Sequence, residues 1–279
     1  MSVNNFIPEV WAPTMLKALK RKTIFARDCF DAYEGDIKKA GNVITFKELG
    51  DPTVHEVAFE DRNKEIADSE TLEDASLDMA IRQIRDVHFE LDDIDEAIAK
   101  GNLKQMMENK VPTKIANVID RYIASLAGGK DAPLLYKGVP VVITEANVLT
   151  VLDDAIEQLQ DNDVPEGEQI YIKCSNRFYN IAHRAYVGLD TSNSESISTG
   201  RIGEYGGAKM QRTNNLYKKD GVQYICVHTK PFIGYADAFT KVEAYRPQKK
   251  FCDAVKGRYL FDAKIIRPKM GLYIPVKFA

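Results

Sequence analysis

The chain is predicted to fold as an α+β protein, on three observations. Helical periodicity is concentrated in the middle, around residues 103–127, 145–160 and 176–185. Period-two segments occur near residues 42–46 and 84–91, and strand-like composition dominates from Arg201 onward. Helices and strands do not alternate as regular βαβ units, so a compact parallel sheet is not expected.

The elements follow in order. Trp11 to Ile24 is an amphipathic stretch after Pro8 and Pro13, dotted with Lys17, Lys20, Arg21 and Lys22, and is expected to be one helix in an N-terminal arm. Val43 and Thr45 alternate against Ile44 and Phe46 up to the Gly50-Asp51-Pro52 turn signal, which predicts a strand. Residues 55–78 are acidic, with few large apolar groups beyond Val57, Phe59 and Ile66, so they cannot form a core of their own. Val87, Phe89 and Leu91 restore the alternation, and this segment is expected to pair with the first strand as a long projecting hairpin with a polar tip. Asp92, Asp93, Asp95 and Glu96 are expected to favour the positive end of a following helix dipole. That helix carries Ile115, Val118, Ile119, Tyr122, Ile123 and Leu126 and stops at Gly128-Gly129, with Pro112 imposing a kink. A second helix is expected over 145–160, capped by Thr144, and a third from Asn176 after a strand at 169–174. Strands are expected at 222–229, 241–245, 263–266 and 272–276, and a loop at 188–200.

Composition narrows the function. With 279 residues, 44% hydrophobic and 28% charged, the chain has the profile of a globular protein with a core that needs no disulfides. Cys29, Cys174, Cys226 and Cys252 show no CxxC spacing and are expected to be buried thiols. No stretch approaches the roughly 20 apolar residues of a bilayer span, so no membrane association is expected. The net charge of −3 argues against a general nucleic-acid binder, but the charge is two-ended. Residues 51–100 hold 5 basic and 16 acidic residues, a balance of −11, whereas residues 201–279 hold 16 basic and 6 acidic, a balance of +10. The two segments are either complementary faces of neighbouring subunits or two solvated faces.

No catalytic constellation emerges. GRIGEYGG at 200–207 lacks both GxGxxG and P-loop spacing and is expected to be a glycine-rich turn. His55, His88, His183 and His228 are scattered, and the Cys226-x-His228 pair supplies only two of the ligands a metal site needs. There is no GxSxG, so no enzyme activity, cofactor or metal is expected.

The ordered series FIPEVWAPTMLKAL, YEGDIKKAGNVITFKELGDPTV, VHFELDDIDEA, IDRYIASLA, RIGEYGGAKMQRTNNL and KVEAYRPQKKFCDAVKGRYLFDAKIIRP resembles the major capsid proteins of tailed bacteriophages with the Hong Kong 97 fold, over nearly the whole chain. The resemblance implies an N-terminal arm (1–33), an extended loop with flanking strands (34–91), a peripheral domain with a long spine helix (92–139), an axial domain (140–240), and C-terminal strands completing the peripheral domain (241–279). It departs from the family in Pro112 and in lacking an N-terminal extension long enough for a scaffolding domain.

It also implies self-assembly as hexamers and pentamers into an icosahedral shell around double-stranded DNA, with separate scaffolding and portal proteins as partners. Assembly would occur in the host bacterial cytoplasm, the extended loop lying over a neighbouring subunit. On that geometry Glu56, Glu60, Asp61, Glu65, Asp68 and Glu70 are expected to meet Lys241, Arg246, Lys249, Lys250 and Lys256 of a neighbour. An encapsulin-type nanocompartment shell is the closest alternative, and an oligomeric α+β enzyme the more distant one.

Overall fold

The strands fall into separate sheets because they carry different burial patterns. In the computed structural model, which describes residues 19, 22–32, 37, 41–46, 76–92, 102–130, 132–162, 164–165, 167–188, 203–249 and 252–278, the elements are β1 (Val43–Phe46), β2 (Leu77–Ala80), β3 (Gln83–Asp92), α1 (Asn102–Ser125), β4 (Val141–Ile143), α2 (Val148–Gln160), β5 (Tyr171–Cys174), α3 (Asn176–Val187), β6 (Glu204–Tyr205), β7 (Ala208–Arg212), β8 (Lys218–Lys219), β9 (Val222–His228), β10 (Ile233–Tyr245), β11 (Cys252–Ile265) and β12 (Gly271–Phe278). Much of β5, β9 and β12 is buried at successive residues rather than at alternate ones, the mark of strands covered on both faces. They form the centre of a mixed sheet in the order β4-β12-β9-β5-β7-β6, with β8 pairing β9.

On one face of this sheet, Ile172, Ile225, Val227, Leu272 and Ile274 pack against Val148, Leu152 and Ile156 of α2 and Phe178 and Ala182 of α3. On the other, Cys226 and Tyr273 pack with Leu19, Phe25, Ile115, Ile119 and Ile123, so the base of the arm and α1 form the third layer. A second sheet, β10-β11-β3, is antiparallel throughout and lies against α1. The glycine-rich segment is the expected turn. Gly206 and Gly207 take φ of 55° and 77° between β6 and β7, the pair of left-handed residues that a type I′ hairpin needs.

Four expectations are corrected. The first concerns the hairpin. β1 pairs with β2, Val43 opposite Ala80 and Phe46 opposite Leu77, whereas β3 pairs with β11 in the other sheet. The reason is burial: Ile44, Phe46, Met79 and Ile81 close a small core with Ala236 and Leu260, and the Arg82 N–H donates to Asp262 as the chain turns away. Residues 77–80 are therefore anchored in their own subunit; residues 55–75 lie outside the described residues.

The second concerns α2, which begins at Val148 rather than Glu145. The Asn147 side chain accepts from the Thr144 N–H at 2.8 Å and donates to the Val142 carbonyl at 2.9 Å, tying residues 142–147 into a turn. Thr144 therefore does not cap the helix through its side chain. Third, Asp92 ends β3 instead of opening a helix, while Asp93, Asp95 and Glu96 lie outside the described residues. Pro112 stands inside α1, buried, and leaves the Glu108 carbonyl without its helical donor.

Fourth, the short strands expected at 241–245 and 263–266 are ends of strands 13 and 14 residues long. The middle of β11 escapes a hydrophobicity pattern because Lys256, Gly257 and Arg258 interrupt it; cross-strand pairing supplies what composition lacks. The expected boundary at residue 240 falls inside β10, and β12 joins the larger sheet between β4 and β9.

Candidate assembly surface and a buried polar node

Six of the residues expected at a subunit contact, Glu56, Glu60, Asp61, Glu65, Asp68 and Glu70, lie outside the described residues, as does Lys250. The remaining four cluster at one end of the three-stranded sheet. Lys241 stands on β10 in register with Arg258, Lys256 on β11 in register with Glu243, and exposed Arg246 and Lys249 follow β10 in the connection to β11. The sheet thus gathers residues that are 15 positions apart in sequence. Lys256 is already engaged: its Nζ is 2.8 Å from Glu243 Oε2 and 5.2 Å from the Tyr245 ring centroid. The Glu243 hydrogen bond raises the Lys256 pKa above its ordinary value.

Neighbours that the sequence did not single out complete this face. Arg258 grips Asp86 through two hydrogen bonds of 2.7 and 2.9 Å, which hold the Asp86 carboxyl below its usual pKa. His88 Nε2 is 2.8 Å from the Tyr245 hydroxyl, and the rings lie 11° from parallel. They meet across the central strand, where buried Ala254, in register with Tyr245, takes little room. Together these side chains line a shallow depression of about 540 Å³. Period-two spacing puts Asp86 and His88 on one face of β3, and the pairing with β11 brings Arg258 to Asp86 and, across it, Tyr245 to His88.

A buried polar node ties the large sheet to the layer formed by the arm and α1. Lys173 on β5 is fully buried, and its Nζ donates to Asp28, to Gln211 Oε1 at 2.6 Å and to the Ile24 carbonyl at 2.8 Å. Three acceptors match the three donors of an ammonium, so the pair is held charged. Burial works against Asp28 ionisation, but Lys173 and then Arg27 outweigh it and keep the carboxyl below its ordinary pKa. Burial also lowers Lys173, against the opposing pull of Asp28. From the other side, Asp120 of α1 accepts the Ile24 and Phe25 backbone N–H groups at 3.0 Å each, and burial raises its pKa. The turn at residues 24–28 is therefore pinned to the large sheet by Lys173 and to the long helix by Asp120.

His228 sits nearby, wholly buried between the Tyr171 and Phe232 rings. Its Nδ1 donates to the Thr229 carbonyl at 2.9 Å, and its Nε2 has no partner; burial and then the Lys173 charge lower its pKa to about 4. The four cysteines are buried and none is in a disulfide, and burial pushes the Cys29, Cys174 and Cys226 thiols up, away from nucleophilic thiolates. Among the described residues no group of three or more His, Cys, Asp or Glu could hold a metal, and no helix is long and apolar enough to cross a membrane.

Comparison with known proteins places this architecture. No family model and no curated protein sequence matches the chain. Solved structures do. The chain superposes on one from Mycobacterium phage Che8 with a TM-score of 0.64 at 20% identity, covering 90% of each chain. The capsid of Cyanophage P-SCSP1u gives 0.67 at 15% identity, over 92% of this chain and 88% of that one. A virus-like particle from Pyrococcus furiosus gives 0.57 at 8% identity, over 95% and 98%. The chain thus has the architecture of a shell-building subunit. More particularly, it has the α+β Hong Kong 97-type fold of tailed-phage capsid proteins.

Proposed function

We propose that this chain is the major capsid protein of a tailed bacteriophage, copies of which assemble as hexamers and pentamers into an icosahedral head around double-stranded DNA. The observation that carries the reading is the near end-to-end superposition on the Cyanophage P-SCSP1u capsid, which spans every layer of the fold rather than one motif. In this reading residues 1–33 are the arm, 34–91 the extended loop, 92–139 the peripheral domain with α1 as spine helix, 140–240 the axial domain, and 241–279 the C-terminal strands. Separate scaffolding and portal proteins complete assembly in the host bacterial cytoplasm, and the product is a virion component.

The contact between copies draws on charge. The acidic loop of one subunit meets Lys241, Arg246, Lys249, Lys250 and Lys256 of the next. Because Lys256 is paired with Glu243 in its own subunit, the connection carrying Lys249 and Lys250 bears most of this contact. Exposed pairs contribute about 0.2–1 kcal/mol each, so they set register and rate more than stability. The test is electron microscopy of the chain expressed with its scaffold. Closed shells that form with the scaffold and protect DNA from nuclease once portal and packaging proteins are added support the reading; shells that close without scaffold around another protein would favour the encapsulin-type alternative, and soluble monomers would refute both. Lys249→Glu with Lys250→Glu should leave a folded subunit that assembles poorly, and unchanged yield and salt dependence would refute the electrostatic contact.

A further inference from the structure

We propose that the solvent face of α1 is a sequence-independent contact for the phosphate backbone of double-stranded DNA. Lys110, Lys114 and Arg121 are all exposed, and at about 100° per residue they fall within a stripe about 40° wide. At about 1.5 Å rise per residue the stripe is roughly 16 Å long. Lys22 from the arm joins it, its Nζ donating to Thr113 Oγ1 at 2.9 Å. Arg121 is steered by a neutral group, Nε donating to Asn215 Oδ1 at 3.1 Å, so its charge is not compensated there. Among the described residues neither Lys110, Lys114 nor Arg121 pairs with a carboxylate. Between Lys110 and Ser125 the helix has one acid, Asp120, which is buried and committed to the backbone of residues 24 and 25.

The chain's overall negative charge does not cancel this stripe. At 0.1 M salt charges are screened beyond about 10 Å, less than the stripe's own length, so the local cations decide what approaches. Two polyanions could answer it: DNA, or the acidic segment of a second copy. The exposed residues here are Lys110, Thr113, Lys114, Arg121 and Ser125, every one polar. Protein partners are held by desolvated apolar or aromatic anchors; the apolar groove that Lys110 and Lys114 share with Val87, Phe89, Val111 and Ile115 lies to one side of the stripe, towards β3, and none of it lies between the three cations. Phosphate contacts need only cations and small hydrogen-bonding side chains on a rigid element. The inference rests on the capsid reading for its partner, the packaged genome.

The test measures binding of the full-length unassembled subunit to a random-sequence DNA duplex by fluorescence anisotropy between 50 and 200 mM salt. Lys110→Gln with Lys114→Gln should weaken binding about tenfold at the low end and make the slope of log affinity against log salt shallower by about 2. Lys218→Gln with Lys219→Gln, an equal charge change on exposed β8, should do neither. Equal effects of the two pairs, or no wild-type binding at 50 mM, would overturn the proposal. Shell formation by the α1 variant should match wild type; a folded variant that forms no shells would assign the stripe to contacts between copies instead. Failure of the wild-type chain to form shells would refute the capsid reading separately.

Discussion

Replacing Lys173 by Met tests whether the buried node holds the arm to the body of the subunit. Met matches the length of the Lys stem and removes the charge. The substitution strands Asp28, which is 6% exposed, and deprives the Gln211 and Ile24 oxygens of their donor. Breaking one side of a buried ion pair costs about 3–5 kcal/mol. Arg27 remains 3.2 Å from Asp28, but its side chain is 52% exposed and water-screened, so it moves the expectation only to the lower end. For a chain of this size about 1 kcal/mol shifts the melting temperature by roughly 2–4 °C, which places the loss at about 6–12 °C for 3 kcal/mol. Circular dichroism melting of the unassembled subunit reads this directly. Adding Asp28→Leu should recover much of the loss, because an apolar pair replaces a half-broken ionic one. A single substitution costing under about 1 kcal/mol, or a double variant no better than the single, would show that the node does not carry the contact.

Three further outcomes follow from the same geometry. The native pKa of His228 is about 4, below its unfolded value, so acid protonates the unfolded chain first; stability is complete above pH 6.5 and falls by on the order of 3 kcal/mol as pH drops to about 4. His228→Phe should flatten that part of the stability–pH curve, and an unchanged slope in urea titrations would locate the effect elsewhere. Asp120→Ala leaves the Ile24 and Phe25 N–H groups without acceptors and should cost about 1–3 kcal/mol, with faster amide exchange at residues 24–25 while α2 is unaffected. Gly234→Ala drives a Cβ into the Phe46 ring and the Ile266 side chain, and should cost about 1–3 kcal/mol with faster exchange at 43–46 as the β1–β2 hairpin loosens; exchange unchanged there would refute the packing argument.

What the sequence by itself determined was local. The apolar spacing of α2 and α3, a glycine-rich turn within 200–207, the alternation of residues 43–46 and the buried thiols all depend on near neighbours, whose periodicity and backbone limits are visible in one dimension. The opposite charge of two distant segments was equally plain, and so was the resemblance to capsid subunits. Tertiary structure decided which strands pair. Residues 84–91 alternate as a hairpin partner should, yet burial of Met79 and Ile81 gives β1 to β2 and leaves β3 to β11. It also decided which charges are spoken for. Nothing near Lys173 in sequence distinguishes it from a surface lysine, and only the crossing of arm, sheet and helix brings Asp28 to it from 145 positions away. Lys256, expected to await a neighbour, has Glu243 across the ladder, while Lys110, Lys114 and Arg121 share one helix face and, among the described residues, pair with no acid. Side-chain partners at long separation depend on how elements pack, and packing is set by the whole chain's burial at once rather than by any window of it.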